Sequence, residues 1–232
     1  MTKRLVIIHT VAPLIEVFNR LVKEILPGVQ VFHVLDEPML EQVRRHGELT
    51  YQKTNQDGVV QPDARQRLVE HVIAAEDIGA DAVLVSCSTI SPYLDELRAN
   101  IPVLKIDEAM LTQAVNRGRV IGVLATNPTT IEPTRQALER KASELRKSVD
   151  IRQVLVEGAF SALLAGDGKQ HDRLVSQSID QIAAEVDLVV LAQATMARVL
   201  ETRPETGWPV AILTSPHTAL ERVKQILEGG SQ

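Results

Sequence analysis

Short runs of β-branched and aliphatic residues alternate along the chain with longer segments in which apolar residues recur every three to four positions. Four apolar runs fall in the first half: Arg4–His9, Val29–Val34, Ala82–Cys87 and Ile101–Ile106. Four more fall in the second: Val120–Ala125, Ile151–Val156, Leu188–Gln193 and Val210–Leu213. Runs of this length predict strands, and the helix-period segments between them predict βα units and therefore parallel sheet. Pro62–Ile78 carries Leu68, Val69, Val72, Ile73 and Ala75 at helical spacing, and Thr130–Arg146 reads the same way.

The two halves also align with each other. Ile73-Ala74-Ala75-Glu76 followed by Asp81-Ala-Val-Leu-Val-Ser-Cys87-Ser-Thr89 matches Ile182-Ala183-Ala184-Glu185 followed by Asp187-Leu-Val-Val-Leu-Ala-Gln193-Ala-Thr195. Ile101-Pro102-Val103 matches Trp208-Pro209-Val210, and Leu5–Pro13 resembles Val120–Pro128, each with a threonine near the strand end (Thr10, Thr126). The matches keep their order through four strands, which is the signature of an internal duplication. The expected fold is α/β: two pseudo-symmetric parallel-sheet lobes of about four strands each, with helices on both faces and the active site in the cleft between them. The expected boundaries are 1–107 and 108–232, with C-terminal helix residues able to cross over to the first lobe.

Composition narrows the class. With 44% hydrophobic and 24% charged residues the chain reads as globular, and six aromatics leave an aliphatic core. No run approaches the roughly 18 apolar residues of a spanning helix, and the apolar stretch Leu5–Ile8 is too short for a signal peptide. A net charge of −5 without basic runs argues against nucleic acid as a partner. Cys87 is the one cysteine, so no internal disulfide forms and a cysteine-rich metal site is excluded; a cytoplasmic location is the expectation. No metal is expected either, because the six histidines are scattered without ligand spacing.

Candidate chemistry lies just beyond the strands: His9-Thr10, Cys87-Ser88-Thr89, Thr126-Asn127-Pro128-Thr129, Gln193-Ala194-Thr195 and Thr214-Ser215. These turns are small, hydroxyl-rich and mostly uncharged, and several lead into helices; Ser91-Pro92 has the residue types of an N-cap and first helical position. N–H groups and hydroxyls at helix starts bind anions, which points to a small carboxylate, although each hydroxyl is equally accounted for as a cap. Cys87 is a buried small hydrophobe on one reading. On the other it is a base, since a helix N-terminus just after it lowers a thiol pKa from about 8.5.

These residues resemble the aspartate/glutamate racemase superfamily, which includes hydantoin racemases, maleate isomerases and arylmalonate decarboxylases. The resemblance rests on Val83–Pro92 around Cys87-Ser88-Thr89, the duplicated lobes, the Gly122-Val-Leu-Ala-Thr126-x-x-Thr129 turn and Leu191–Ala197, and it covers nearly the whole chain. It implies an isomerase that needs no cofactor and assembles as a homo-oligomer. It further implies proton transfer next to a carboxylate between a thiol from each lobe, with Cys87 as the first-lobe thiol. Ser88, Thr89, Thr126 and Thr129 would hold the substrate carboxylate, with Thr10, Gln193 and Thr195 lining the same pocket.

The sequence departs from that pattern at Gln193, which occupies the place of the second cysteine. A carboxamide neither loses nor supplies a proton near neutral pH. Three readings are open: an isomerase with a second acid or base, for which His9 and His217 are the candidates; a decarboxylase of a malonate-like acid in which Cys87 works alone; or a non-catalytic small-carboxylate binding module. Other signals are weaker. Gly166-Asp-Gly168-Lys169 lacks the spacing of a phosphate loop, and Asp36-Glu37 reads as solvated loop. Glu48–Gln61 reads as a mobile loop able to close over a site, and Glu228–Gln232 as a frayed end.

Overall fold

The structure, a computed structural model, describes residues 2–46, 53–54, 60–61, 63–203 and 207–229, without the side chains of 44–46, 53–54, 60–61, 92 and 129. The chain forms two compact units, Met1–Ile106 with Ala219–Gln232, and Asp107–Thr218. The chain from Ala219 onward therefore groups with the first unit, as the expected crossing-over of C-terminal helix residues allows, and, Asp107 apart, the second unit falls within the expected 108–232. A helix joins whichever core its apolar stripe contacts, whatever its place in the sequence.

Unit 1 contains β1 (Arg4–His9), α1 (Pro13–Ile25), β2 (Gln30–Leu35), α2 (Glu37–His46), a short ladder of β3 (Lys53–Thr54) and β4 (Val60–Gln61), α3 (Ala64–Asp77), β5 (Ala82–Val85) and β6 (Val103–Lys105). Unit 2 contains α4 (Glu108–Arg117), β7 (Val120–Ala125), α5 (Pro128–Glu144), β8 (Asp150–Leu155), α6 (Ala159–Leu164), α7 (Gly168–Ile182), β9 (Leu188–Leu191) and β10 (Ala211–Thr214). The last helix, α8 (Ser215–Gly229), begins in unit 2 and its residues from Ala219 belong to unit 1. The expected loop 48–61 falls largely outside the described residues, as do the last three residues of the expected frayed end.

Each unit holds one four-stranded parallel sheet, in the orders β2-β1-β5-β6 and β8-β7-β9-β10. These are the same topology, as the internal repeat predicts. The central strands β5 and β9 are buried at every position, as parallel strands covered on both faces must be. A matching carboxylate clasps the start of each sheet: Asp81 Oδ2 accepts from the Arg4 N–H at 2.8 Å, and Asp187 Oδ2 from the Arg119 and Val120 N–H groups at 2.7 and 2.9 Å.

Local signals place the helices. Pro13 opens α1, whose stripe of Leu14, Phe18, Val22 and Ile25 is buried. Asp63 caps α3 by accepting from the Gln66 N–H at 2.7 Å, and Asp167 caps α7 in the same way through Gln170 at 3.0 Å. At the other end of α3, Gly79 adopts φ +72° while the Ala80 N–H reaches back to the Ala75 carbonyl, a Schellman closure that needs glycine.

Side-chain alternation divides each sheet into two faces. In unit 1, Val6, Ile8, Val83 and Val85 pack with Leu68, Val72 and Ala75 of α3, while Phe18 of α1 meets the His9 ring from the opposite side. In unit 2, Ile121, Val123, Leu188 and Val190 pack with α4 and with Leu138 of α5; Leu124, Val189 and Leu191 pack with Val175 and Ile179 of α7. Leu138 is fully buried. Leu138→Ala is expected to cost about 2–5 kcal/mol, read as a lowered chemical-denaturation midpoint, and in hydrogen exchange the loss of protection should concentrate in β7 and α5.

Candidate functional site

The strands end earlier than the apolar runs suggest. Cys87 and Gln193 each lie two residues beyond the last ladder position of β5 and β9. Register decides what stands beside them. Ile8 pairs with Val85, the Ser86 N–H donates to the Ile8 carbonyl and the Ser86 hydroxyl reaches the His9 ring, so the next position sets His9 beside Ser86. Cys87 is half-buried and leans on the α3-side cluster, and Thr10 is buried.

The turn after Cys87 folds tightly. The Cys87 carbonyl accepts from the Ile90 and Ser91 N–H groups at 3.1 and 3.0 Å, and from Ser91 Oγ at 3.2 Å. The turn leads into a six-residue 3-10 segment, Ser91–Glu96, with Ile90 at its N-cap. Ser91 is thus inside that segment and bonds backwards instead of capping it. The expected helix dipole at Cys87 loses most of its basis, because so short a segment aligns few peptide units. The N–H groups of Ser88 and Thr89, both half-buried, donate to no acceptor among the described residues.

The corresponding turn of unit 2 is built around Gln193. Its Oε1 accepts from the Thr126 N–H at 2.6 Å, Thr126 Oγ1 at 3.0 Å and the Asn127 N–H at 3.2 Å. Three donors on the oxygen fix the amide's orientation, so its Nε2, which donates to nothing among the described residues, is presented as a pure donor. Ala194 and Thr195 again leave their N–H groups without acceptors among the described residues, and Thr195 is half-buried. Thr129 lies in the first turn of α5, with its side chain outside the described residues. His217 is exposed in the first turn of α8.

His9 is fully buried and sits in a hydrogen-bonded chain that the sequence pattern did not reveal. Ser86 Oγ lies 2.8 Å from His9 Nδ1, His9 Nε2 lies 2.8 Å from His33 Nδ1, and His33 Nε2 lies 3.1 Å from Asn19 Oδ1. Asn19 Oδ1 is an acceptor only, so each ring carries its proton on Nε2 and the Ser86 hydroxyl donates into His9. Both ring nitrogens of His9 are thereby committed within unit 1. Burial, then the neighbouring His33, push the His9 pKa down to about 3, and burial lowers that of His33 as well. The histidines are therefore not all scattered: β1 and β2 bring two of them together. A polar residue inside the apolar run Val29–Val34 was the available signal.

Asp36 is not solvated either. It is almost fully buried, accepts Arg67 through both oxygens (2.9 and 2.7 Å), and also pairs with His71 at 2.8 Å and the Met39 N–H at 3.0 Å. Of the weak phosphate-loop signal, Gly166-Asp167 proves to be the capping turn of α7. Among the described residues no three His, Cys, Asp or Glu side chains gather as metal ligands, and no helix is long and apolar enough to cross a membrane.

Two duplicated parallel-sheet units with small, hydroxyl-bearing turns at the strand ends define a racemase-type fold. The Asp/Glu/Hydantoin racemase family model matches residues 7–223, and the chain belongs to that family. Solved structures agree on the fold. An aspartate racemase of Picrophilus torridus matches at TM-score 0.68 and 14% identity, over 98% of this chain and 94% of that one. An allantoin racemase of Klebsiella pneumoniae matches at TM-score 0.69 and 17% identity, over 98% and 89%. A glutamate racemase of Bacillus anthracis matches at TM-score 0.65 and 16% identity, over 98% and 82%. No curated protein matches the chain by sequence. Membership of that family points to an isomerase of the racemase kind as the enzyme class.

The depressed His9 pKa has a stability consequence. Above pH 6.5 His9 is neutral folded or unfolded and contributes no pH dependence. Between 6.5 and about 3 the unfolded chain takes up a proton that the folded chain refuses, so stability falls with falling pH by up to about 1.4 kcal/mol per unit. Urea midpoints measured from pH 7.5 to 5 should fall on the acid side, and His9→Asn should flatten that slope; parallel slopes would show that His9 is not held neutral.

Proposed function

We propose that this protein is a cofactor-independent isomerase acting on a small carboxylic acid, in which Cys87 moves the proton at the carbon next to the carboxylate and no second thiol takes part. The observation that carries this reading is the matched pair of strand-end turns. Both offer backbone N–H groups that are unpaired among the described residues, beside hydroxyls, which suits a carboxylate. Only the turn of unit 1 carries a side chain able to exchange a proton near neutral pH, and the matching position of unit 2 holds an amide locked as a donor. Such a donor suits a carboxylate or carbonyl oxygen. Thr10, Ser88 and Thr89 are the polar residues that this reading assigns to the strand ends of unit 1, and Thr126, Thr129 and Thr195 those that it assigns to unit 2.

A single thiol acting alone gives exchange without inversion, so the isomerase needs a second proton donor that is not a thiol. A thiolate that removes a proton and returns one to the same face exchanges the hydrogen without racemising the carbon, and inversion needs a second donor. Both ring nitrogens of His9 are committed, which leaves His217, exposed at the start of α8, as the candidate for that role. The single thiol equally supports decarboxylation of a malonate-like acid, since one group suffices to protonate the carbanion left by CO2.

The test is incubation in deuterated water with aspartate, glutamate, allantoin, 2-hydroxy acids and malonate-type acids, read by NMR and chiral chromatography. The expected result is deuterium incorporation next to a carboxylate together with loss of optical purity, both slowed about 10²–10⁴-fold in Cys87→Ser; incorporation with full retention would overturn the isomerase reading. Loss of CO2 instead would establish the decarboxylase, and binding without any exchange, unchanged in Cys87→Ser, would establish the binding module.

A further inference from the structure

The chain Ser86–His9–His33–Asn19 runs from β5 through β1 and β2 to α1, with links of 2.8, 2.8 and 3.1 Å. Ser86 and His9 are buried, His33 is half-buried and Asn19 is exposed. The two imidazoles stack with their centroids 5.1 Å apart, and Phe18 packs against the His9 ring. Each link has a direction. In the neutral chain a proton stands on Ser86 Oγ, on His9 Nε2 and on His33 Nε2, and every one of them points outward, toward Asn19.

Solvent protons reach this chain at His33, the half-buried ring beside exposed Asn19. A His33 that has taken up a proton donates from both ring nitrogens, so its Nδ1–H meets the His9 Nε2–H across 2.8 Å, two donors without an acceptor. A second charge on His9 gives no relief, because the stacked rings would repel and His9 is fully buried. The link survives if His9 becomes an acceptor at Nε2, which a neutral imidazole does by carrying its proton on Nδ1. There the proton meets Ser86 Oγ at 2.8 Å, a hydroxyl that can accept as well as donate.

Among the described residues no other charge acts on the pair. Phe18 and Asn19 of α1 and Ser86 of β5 face it. The charged residues of α1 within a turn of Asn19, namely Glu16, Arg20 and Lys23, are exposed. Burial and the charge of His33 act on His9, and burial acts on His33.

We propose that this chain is a proton-responsive switch: one proton taken up at His33 reverses the hydrogen bonds inward, moving the His9 proton from Nε2 to Nδ1 and turning Ser86 from donor to acceptor. The balance is a single proton. Ser86 and His9 each keep one, on the other side of the group, and the charge rests on His33. Ser86 also joins β5 to β1 through its N–H and directly precedes Cys87, so the switch carries acidity at the α1 surface to the strand end that bears the thiol. It stands apart from the reading of Cys87 as an acid/base group and is measured without substrate.

The experiment is long-range proton–nitrogen correlation NMR of the full chain with isotope-labelled histidine, from pH 7.5 down to 4.5, with the two rings assigned through His9→Gln and His33→Gln. A bare ring nitrogen and a protonated one resonate far apart, so the tautomer is read directly. At neutral pH both rings should carry their proton on Nε2. On acidification His33 should gain its second proton, and at the same midpoint the His9 proton should move to Nδ1 with His9 still neutral. Asn19→Asp, on the exposed side of α1, puts a carboxylate within reach of His33 Nε2 and should raise both midpoints together by about one pH unit. That variant also keeps the transition accessible should the wild type unfold before His33 titrates. In His33→Gln, His9 should hold one tautomer throughout. A His9 that keeps its Nε2 proton while His33 titrates would overturn the proposal, as would a His9 that becomes charged together with His33, or midpoints that separate in Asn19→Asp.

Discussion

The register between β1 and β5, and between β7 and β9, decides which side chains meet at the functional end of each unit. Successive residues of a strand point to opposite faces, so a slip of one position would exchange every pair. The slip is prevented twice: by aliphatic side chains buried on both faces, and by Asp81 and Asp187 clasping the backbone at the start of the neighbouring strand. With the register held, Cys87 emerges toward α3 while His9 and Ser86 emerge toward α1. Two separate chemistries thus occupy adjacent residues of one strand end. The thiol is left with its hydroxyl-lined turn, and the imidazole pair is sealed into a satisfied chain on the other face.

The same architecture in unit 2 keeps the threonines at the strand ends but carries different chemistry at three corresponding positions. Cys87 matches Gln193, Ser86 matches Ala192, and His9 matches Ala125. Alanine at the last two lets the core close without polar groups, whereas unit 1 accommodates two histidines only because each ring nitrogen has a partner. At the first, the exchange of thiol for carboxamide replaces a group that moves protons by one that only orients oxygen atoms, and Thr126 and Asn127 hold it in that orientation. Duplication supplied a symmetric scaffold on which only one unit carries a thiol.

Much of the fold is legible in the residue pattern, because long aliphatic runs at regular intervals can be little else than buried strands. β1 and β7 match their expected limits, and the shared strand order agrees with the repeat. The errors have common causes. Apolar runs outlast the ladders at Cys87 and Gln193 because burial continues after pairing stops. Ser91-Pro92 looks like a helix start, yet Ser91 turns its hydroxyl back onto the Cys87 carbonyl. Asp36 comes just after a strand and looks solvated, but its partners Arg67 and His71 lie thirty residues and more away.

Composition and pattern by themselves determined the duplicated α/β plan, the lone thiol and its place after a strand, and the carboxamide at the matching site, since these depend on residue type and spacing. Tertiary structure decided how polar groups are matched: His9 with Ser86 and His33, Gln193 with Thr126, Asp36 with α3, and Tyr93 with no partner among the described residues. The physical reason is that a hydrogen bond needs two groups within about 3 Å in the right direction. For residues distant in sequence only the packed fold sets that distance, whereas an aliphatic side chain needs only to be out of water.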